Sequence, residues 1–62
     1  MTQEEFNVTQ FGKGMRCKHP RWGEGSIVGL DFDEQLIEVQ FDENLGPDWV
    51  RCENVELIKP SL

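Results

Sequence analysis

The sequence predicts an all-β domain, a small barrel of five short strands. Two observations carry this. Apolar and polar residues alternate over short stretches, and no segment shows a convincing helical period. Clusters of Gly, Pro, Asn and Asp then punctuate those stretches so closely that the strands must join through tight turns.

Taken in order, residues 1–11 carry acids and amides without a clear period, and Phe6, Val8 and Phe11 are their only apolar anchors. This reads as a flexible N-terminal tail that docks through an aromatic near its end. The remaining residues, 12–62, read as one folded unit with no internal linker or repeat. From Met15 to His19 the residues alternate, with Met15, Cys17 and His19 on one face and Arg16 and Lys18 on the other. Pro20 ends that strand because it has no N–H to give to a ladder. Trp22-Gly23-Glu24-Gly25 forms a loop, whose glycines serve positive φ or close backbone approach. A second strand runs from Ser26 to Phe32, with Gly29 as a bulge or bend. The chain turns at Asp33-Glu34-Gln35, and Leu36 to Phe41 alternates again, with Ile37, Val39 and Phe41 pointing inward. Asp42 to Asp48 is a polar loop with Asn44, Gly46 and Pro47 as turn formers. Trp49 to Cys52 is the fourth strand, Glu53-Asn54-Val55 one helical turn, and Glu56 to Ile58 the fifth strand.

Five such strands close their own edges most simply as a barrel. The helical turn before the last strand fits the SH3-like, or Tudor-like, version. Ile27, Val28, Leu30, Ile37, Val39, Phe41, Val50, Val55 and Ile58 are the expected core.

Size and charge restrict function. A chain of 62 residues is one domain. It buries only about 60% of the surface of its unfolded form, so its core is thin and it has no room for a cleft between domains. No apolar run approaches a membrane span or a signal-peptide core, so a soluble, cytoplasmic monomer is expected. Net charge is −6, which repels nucleic-acid phosphates. The charge is uneven: Lys13, Arg16, Lys18 and Arg21 lie together, whereas Asp31 to Glu56 holds nine acids and one base, Arg51. Cys17 and Cys52 are expected as reduced, small, buried or half-buried side chains.

The segment Gly14-Met15-Arg16-Cys17-Lys18-His19-Pro20-Arg21-Trp22-Gly23-Glu24-Gly25-Ser26-Ile27-Val28 resembles the pattern G-x-x-V-x-H-x-x-[FW]-G-x-G-x-V. That pattern opens the Tudor-like C-terminal domain of UvrD/PcrA-type helicases and of small stand-alone bacterial proteins. Val39-Gln40-Phe41-Asp42 resembles the V-x-F-D third strand of the same family, and Val55-Glu56-Leu57-Ile58 its closing segment. The resemblance covers residues 12–58. It departs at Cys17, where an aliphatic is usual, and in the longer acidic loop from Asn44 to Asp48. It implies an interaction module that docks on RNA polymerase or on a helicase or repair factor, and it points to His19, Trp22 and Glu24.

Chemistry in the chain is sparse. Cys17 and His19 sit two apart on one strand face, with no third group to orient a nucleophile and base. Cys17, His19 and Cys52 lack the paired spacing of structural zinc. No enzyme activity, metal or cofactor is therefore expected. His19 reads first as a residue whose ring bonds the loop backbone. Trp22 admits two readings, a cap on the core or an exposed anchor beside Trp49; tryptophan and arginine are both enriched at interface hot spots. The leading expectation is a protein-binding module that uses His19, Arg21, Trp22, Glu24 and Trp49. The first alternative is nucleic-acid binding through Lys13, Arg16, Lys18 and Arg21. The second is an acidic DNA mimic using Asp31, Asp33, Glu34, Asp42, Glu43 and Asp48.

Overall fold

The computed structural model describes residues 1–12 and 14–58. Its elements are α1 (Gln3–Val8), β1 (Arg16–His19), β2 (Gly23–Asp31), β3 (Leu36–Phe41), β4 (Asp48–Arg51), a 3-10 turn over Cys52–Asn54, and β5 (Glu56–Leu57). The strands make one antiparallel sheet in the order β4-β3-β2-β1-β5. No helix among the described residues is long and apolar enough to cross a membrane.

The strands lie close to where alternation places them. Cys17 and His19 are buried on β1, and Ile37, Val39 and Phe41 on β3. The register of β2 against β3 shifts between Ile27 and Gly29, so the expected irregularity falls there and Val28 is the extra residue. A bulge turns its side chain out of the alternation. Val28, expected in the core, is therefore exposed, as is Ile58, while Leu30 and Val50 pack against the core from its margin.

Two expectations need correction. The first is the flexible tail over 1–11. These residues hold α1, opened by a capping box: the Glu5 N–H donates to Thr2 Oγ1 and the Thr2 N–H donates to Glu5 Oε1, both at 3.1 Å. The box lets a six-residue helix start, and tertiary contact holds it. Phe6 is fully buried, with ring centroids 5.5 Å from Phe11 and 4.9 Å from Phe32. The Met1 amine donates to the carbonyls of Cys52 and Val55, and Gln3 Nε2 donates to Glu53, which ties the helix to the 3-10 turn.

The second correction is barrel closure. The sheet is open: β4 pairs only with β3, and β5 only with β1. With two residues, β5 is spent on Cys17 and Lys18, and the 3-10 turn separates it from β4. The buried core is Phe6, Cys17, Ile27, Ile37, Val39, Phe41, Cys52 and Val55. Both cysteines are free thiols.

Candidate functional site

β1 ends at His19, and residues 20–22 turn the chain into β2. Gly23 closes the turn at φ +84°, a conformation that favours glycine. The His19 ring is buried edge-on to Phe41, with centroids 6.0 Å apart and planes at 83°. Its Nδ1 accepts from the Arg21 N–H at 3.0 Å and from the Trp22 N–H at 3.2 Å. One imidazole nitrogen thus fixes the backbone of the whole turn. Above it, Trp22 is 52% exposed, and the Arg21 guanidinium lies 5.5 Å from the Trp22 ring centroid. The result is a half-exposed indole on a turn pinned from below. Lys18, Glu24, Asp42 and Glu43 surround it in a shallow, charged depression.

Desolvation, with a smaller push from Arg21, lowers the His19 pKa below its ordinary 6.5. The sign of the linkage follows. A depressed histidine binds protons more readily unfolded than folded, so its contribution is complete above the unfolded value. It is lost as pH falls from about 6.5 toward the lower folded value. Asp42 is also lowered, mainly by its hydrogen bonds from Arg16, and its contribution is lost only as pH falls through the carboxylate range. The melting temperature should therefore fall between pH 7.5 and 5.5 as His19 takes up its proton on unfolding. His19→Asn, which keeps a side-chain acceptor that does not titrate, should flatten that slope. A wild-type melting temperature constant across this window would contradict the assignment.

Among the described residues, Arg16, Lys18 and Arg21 do not assemble as a free patch. Arg16 donates to both Asp42 oxygens and to Ser26 Oγ, 2.8 Å to Asp42 Oδ1 and 2.9 Å to Ser26, with Glu24 at 3.9 Å. Lys18 stands in register between Glu24 on β2 and Glu56 on β5. Lys13 lies outside the described residues. Arg21 faces the Trp22 ring. Three of the six acids, Asp31, Asp42 and Asp48, are engaged too. Asp31 Oδ1 accepts from the N–H groups of Asp33 and Glu34, shaping that turn, and Asp48 accepts from Asn44 Nδ2. Asp33, Glu34 and Glu43 are exposed.

Trp49 is 50% exposed on β4, opposite Glu38. No ring contact joins it to Trp22 among the described residues. His19, Arg21, Trp22 and Glu24 thus lie together at one turn, and Trp49 occupies a different part of the sheet. The Arg16–Asp42 pair escaped the sequence reading because its partners are 26 positions apart and meet only through strand register.

Both thiols are buried. Desolvation raises the Cys17 pKa, and desolvation with the neighbouring Glu53 carboxylate raises that of Cys52. No cluster of three metal-ligating side chains occurs among the described residues.

Compared with protein-family models, curated proteins and solved structures, the chain matches none of them.

Proposed function

We propose that this domain is a non-enzymatic protein-binding module that docks through the Trp22 turn. The observation that carries the proposal is the half-exposed Trp22, whose backbone is already fixed by His19 before any partner arrives. A preordered aromatic loses little freedom on binding, which is how a few residues dominate an interface. Arg21 and Glu24 border it and set the orientation of the partner. Buried thiols with raised pKa values are the reverse of activated nucleophiles, and His19 Nδ1 is occupied by two backbone donors, which supports binding over catalysis. The pairing of Arg16 with Asp42 and the acids beside Lys18 disfavour phosphate contact.

The strand order, with one helical turn before the last strand, supports the SH3-like, Tudor-like assignment. On that resemblance the partner is bacterial RNA polymerase or a repair factor that works with it. The test is biolayer interferometry with purified bacterial RNA polymerase core enzyme. Wild type should bind saturably. Trp22→Ala should bind about 30-fold more weakly or worse, as expected for a hot spot of about 2 kcal/mol. Trp22→Ala binding as tightly as wild type would refute the site. Binding of a DNA duplex that weakens steeply with salt would favour the nucleic-acid reading instead.

A further inference from the structure

The His19 imidazole holds the Trp22 turn through a single atom. Nδ1 accepts from the Arg21 N–H at 3.0 Å and from the Trp22 N–H at 3.2 Å. Among the described residues, neither N–H has a backbone carbonyl as its partner. A neutral imidazole has one donor and one acceptor nitrogen, so a ring that accepts at Nδ1 carries its proton on Nε2. Protonation adds a second proton, and it goes to Nδ1. That atom then becomes a donor facing two donors, and both hydrogen bonds are lost together.

The surroundings give a charged ring nothing in return. β3 presents Phe41, edge-on with centroids 6.0 Å apart. β1 places Cys17 on the same buried face, a thiol whose pKa burial raises. β2 meets His19 in register at Gly23, which has no side chain. The turn presents the Trp22 ring at 6.3 Å and Arg21, whose charge has the sign of an imidazolium. The nearby carboxylates, Glu24, Asp42 and Glu43, line the shallow depression with Lys18 and Trp22, and Asp42 is bonded to Arg16. None of them makes an ion pair with His19 among the described residues. Burying an uncompensated charge is costly, so a protonated His19 must give up its place under the turn.

We infer that His19 is a proton-operated latch on the Trp22 turn. With Nδ1 unprotonated it holds Arg21 and Trp22 in the docking conformation; a proton at Nδ1 frees the turn while the sheet beneath stays folded. The inference rests on docking through Trp22 and adds its regulation: the partner is held at neutral pH and released in mild acid. Affinity scales with the fraction of closed turns, so opening shows directly as weaker binding. The melting temperature reports the whole domain, whereas the latch opens only the turn whose N–H groups depend on Nδ1.

The test is read first on the free, isotope-labelled full chain by NMR between pH 7.5 and 5.0. At pH 7.5 the ring should show the Nε2–H tautomer, and the Arg21 and Trp22 amides should have order parameters of about 0.85, as rigid backbone does. As the ring titrates, with a midpoint below 6.5, these two should fall below about 0.6 while Val39 on β3 stays at about 0.85. In His19→Asn, whose side-chain oxygen accepts without titrating, neither amide should change with pH. The second measurement is affinity for RNA polymerase core enzyme. From pH 7.5 to 5.0 it should weaken about fivefold or more for wild type and less than about twofold for His19→Asn. An Nδ1–H ring at pH 7.5, turn amides still ordered once the ring has titrated, or Val39 lost in step with Trp22 would each overturn the latch. Equal weakening of wild type and His19→Asn would overturn its control of docking. If polymerase binds neither protein at any pH, docking through Trp22 fails by itself, and the turn amides still decide the latch.

Discussion

Phe6→Ala is expected to leave this domain largely unfolded at room temperature. Truncating a buried phenylalanine costs about 3–5 kcal/mol, because the apolar transfer free energy is lost and a cavity remains. A domain of this length has total stability of roughly 3–9 kcal/mol. Phe6 is fully buried and is the one core residue supplied by α1. Its loss also strips contacts from Phe11 and Phe32, which flank it. The helix is too short to stand alone, so its docking should fail with its anchor. Urea titration followed by circular dichroism measures this, and Phe6→Leu should retain most of the stability. A Phe6→Ala variant that melts within about 5 °C of wild type would mean that α1 is dispensable, since 1 kcal/mol corresponds to about 4–8 °C at this size.

Gly25→Ala should be the next most damaging change. Gly25 sits on β2 opposite Phe41, where the strands approach closely. A Cβ there would lie 2.6 Å from Val39 Cγ1, 2.7 Å from the Gln40 carbonyl oxygen and 2.9 Å from Phe41 Cα. Two of those neighbours are backbone, so relief requires β2 to move off β3 rather than a rotamer change. Overpacking of this kind costs about 1–3 kcal/mol, which predicts a melting temperature lowered by about 5–20 °C. Gly46→Ala is the control: a Cβ there meets nothing within 4 Å, and its melting temperature should hold. Equal melting temperatures for wild type and Gly25→Ala would contradict a close β2–β3 approach at Gly25.

β1 and β3 were legible because each carries its own alternation, and Pro20 follows directly on the end of β1. β3 begins and ends at Leu36 and Phe41, where its alternation does. β2 starts earlier than expected, at Gly23, because Gly23 and Glu24 pair with His19 and Lys18 across the hairpin, a property of register rather than of side-chain pattern. α1 escaped because six residues are too few to display a helical period. Its signal is the capping pair Thr2 and Glu5, three apart, ahead of Phe6. Openness of the sheet could not be read from strand number, since closure depends on whether β4 and β5 meet. For the site, His19 as a loop-bonding residue and Trp22 in the hairpin turn were both legible. The grouping of Trp22 with Trp49 was not, because register places Trp49 opposite Glu38 and the Trp22 turn beside Glu24 and Asp42.

The two tryptophans make the proposed docking through the Trp22 turn directly observable, since each gives one indole N–H resonance. Purified RNA polymerase core enzyme titrated into the labelled domain should broaden the Trp22 indole signal first, together with the amides of Arg21 and Glu24, while Trp49 and Val28 persist longer. Selective loss of the Trp49 signal, or uniform persistence of Trp22 at saturating polymerase, would contradict docking through the His19-pinned turn.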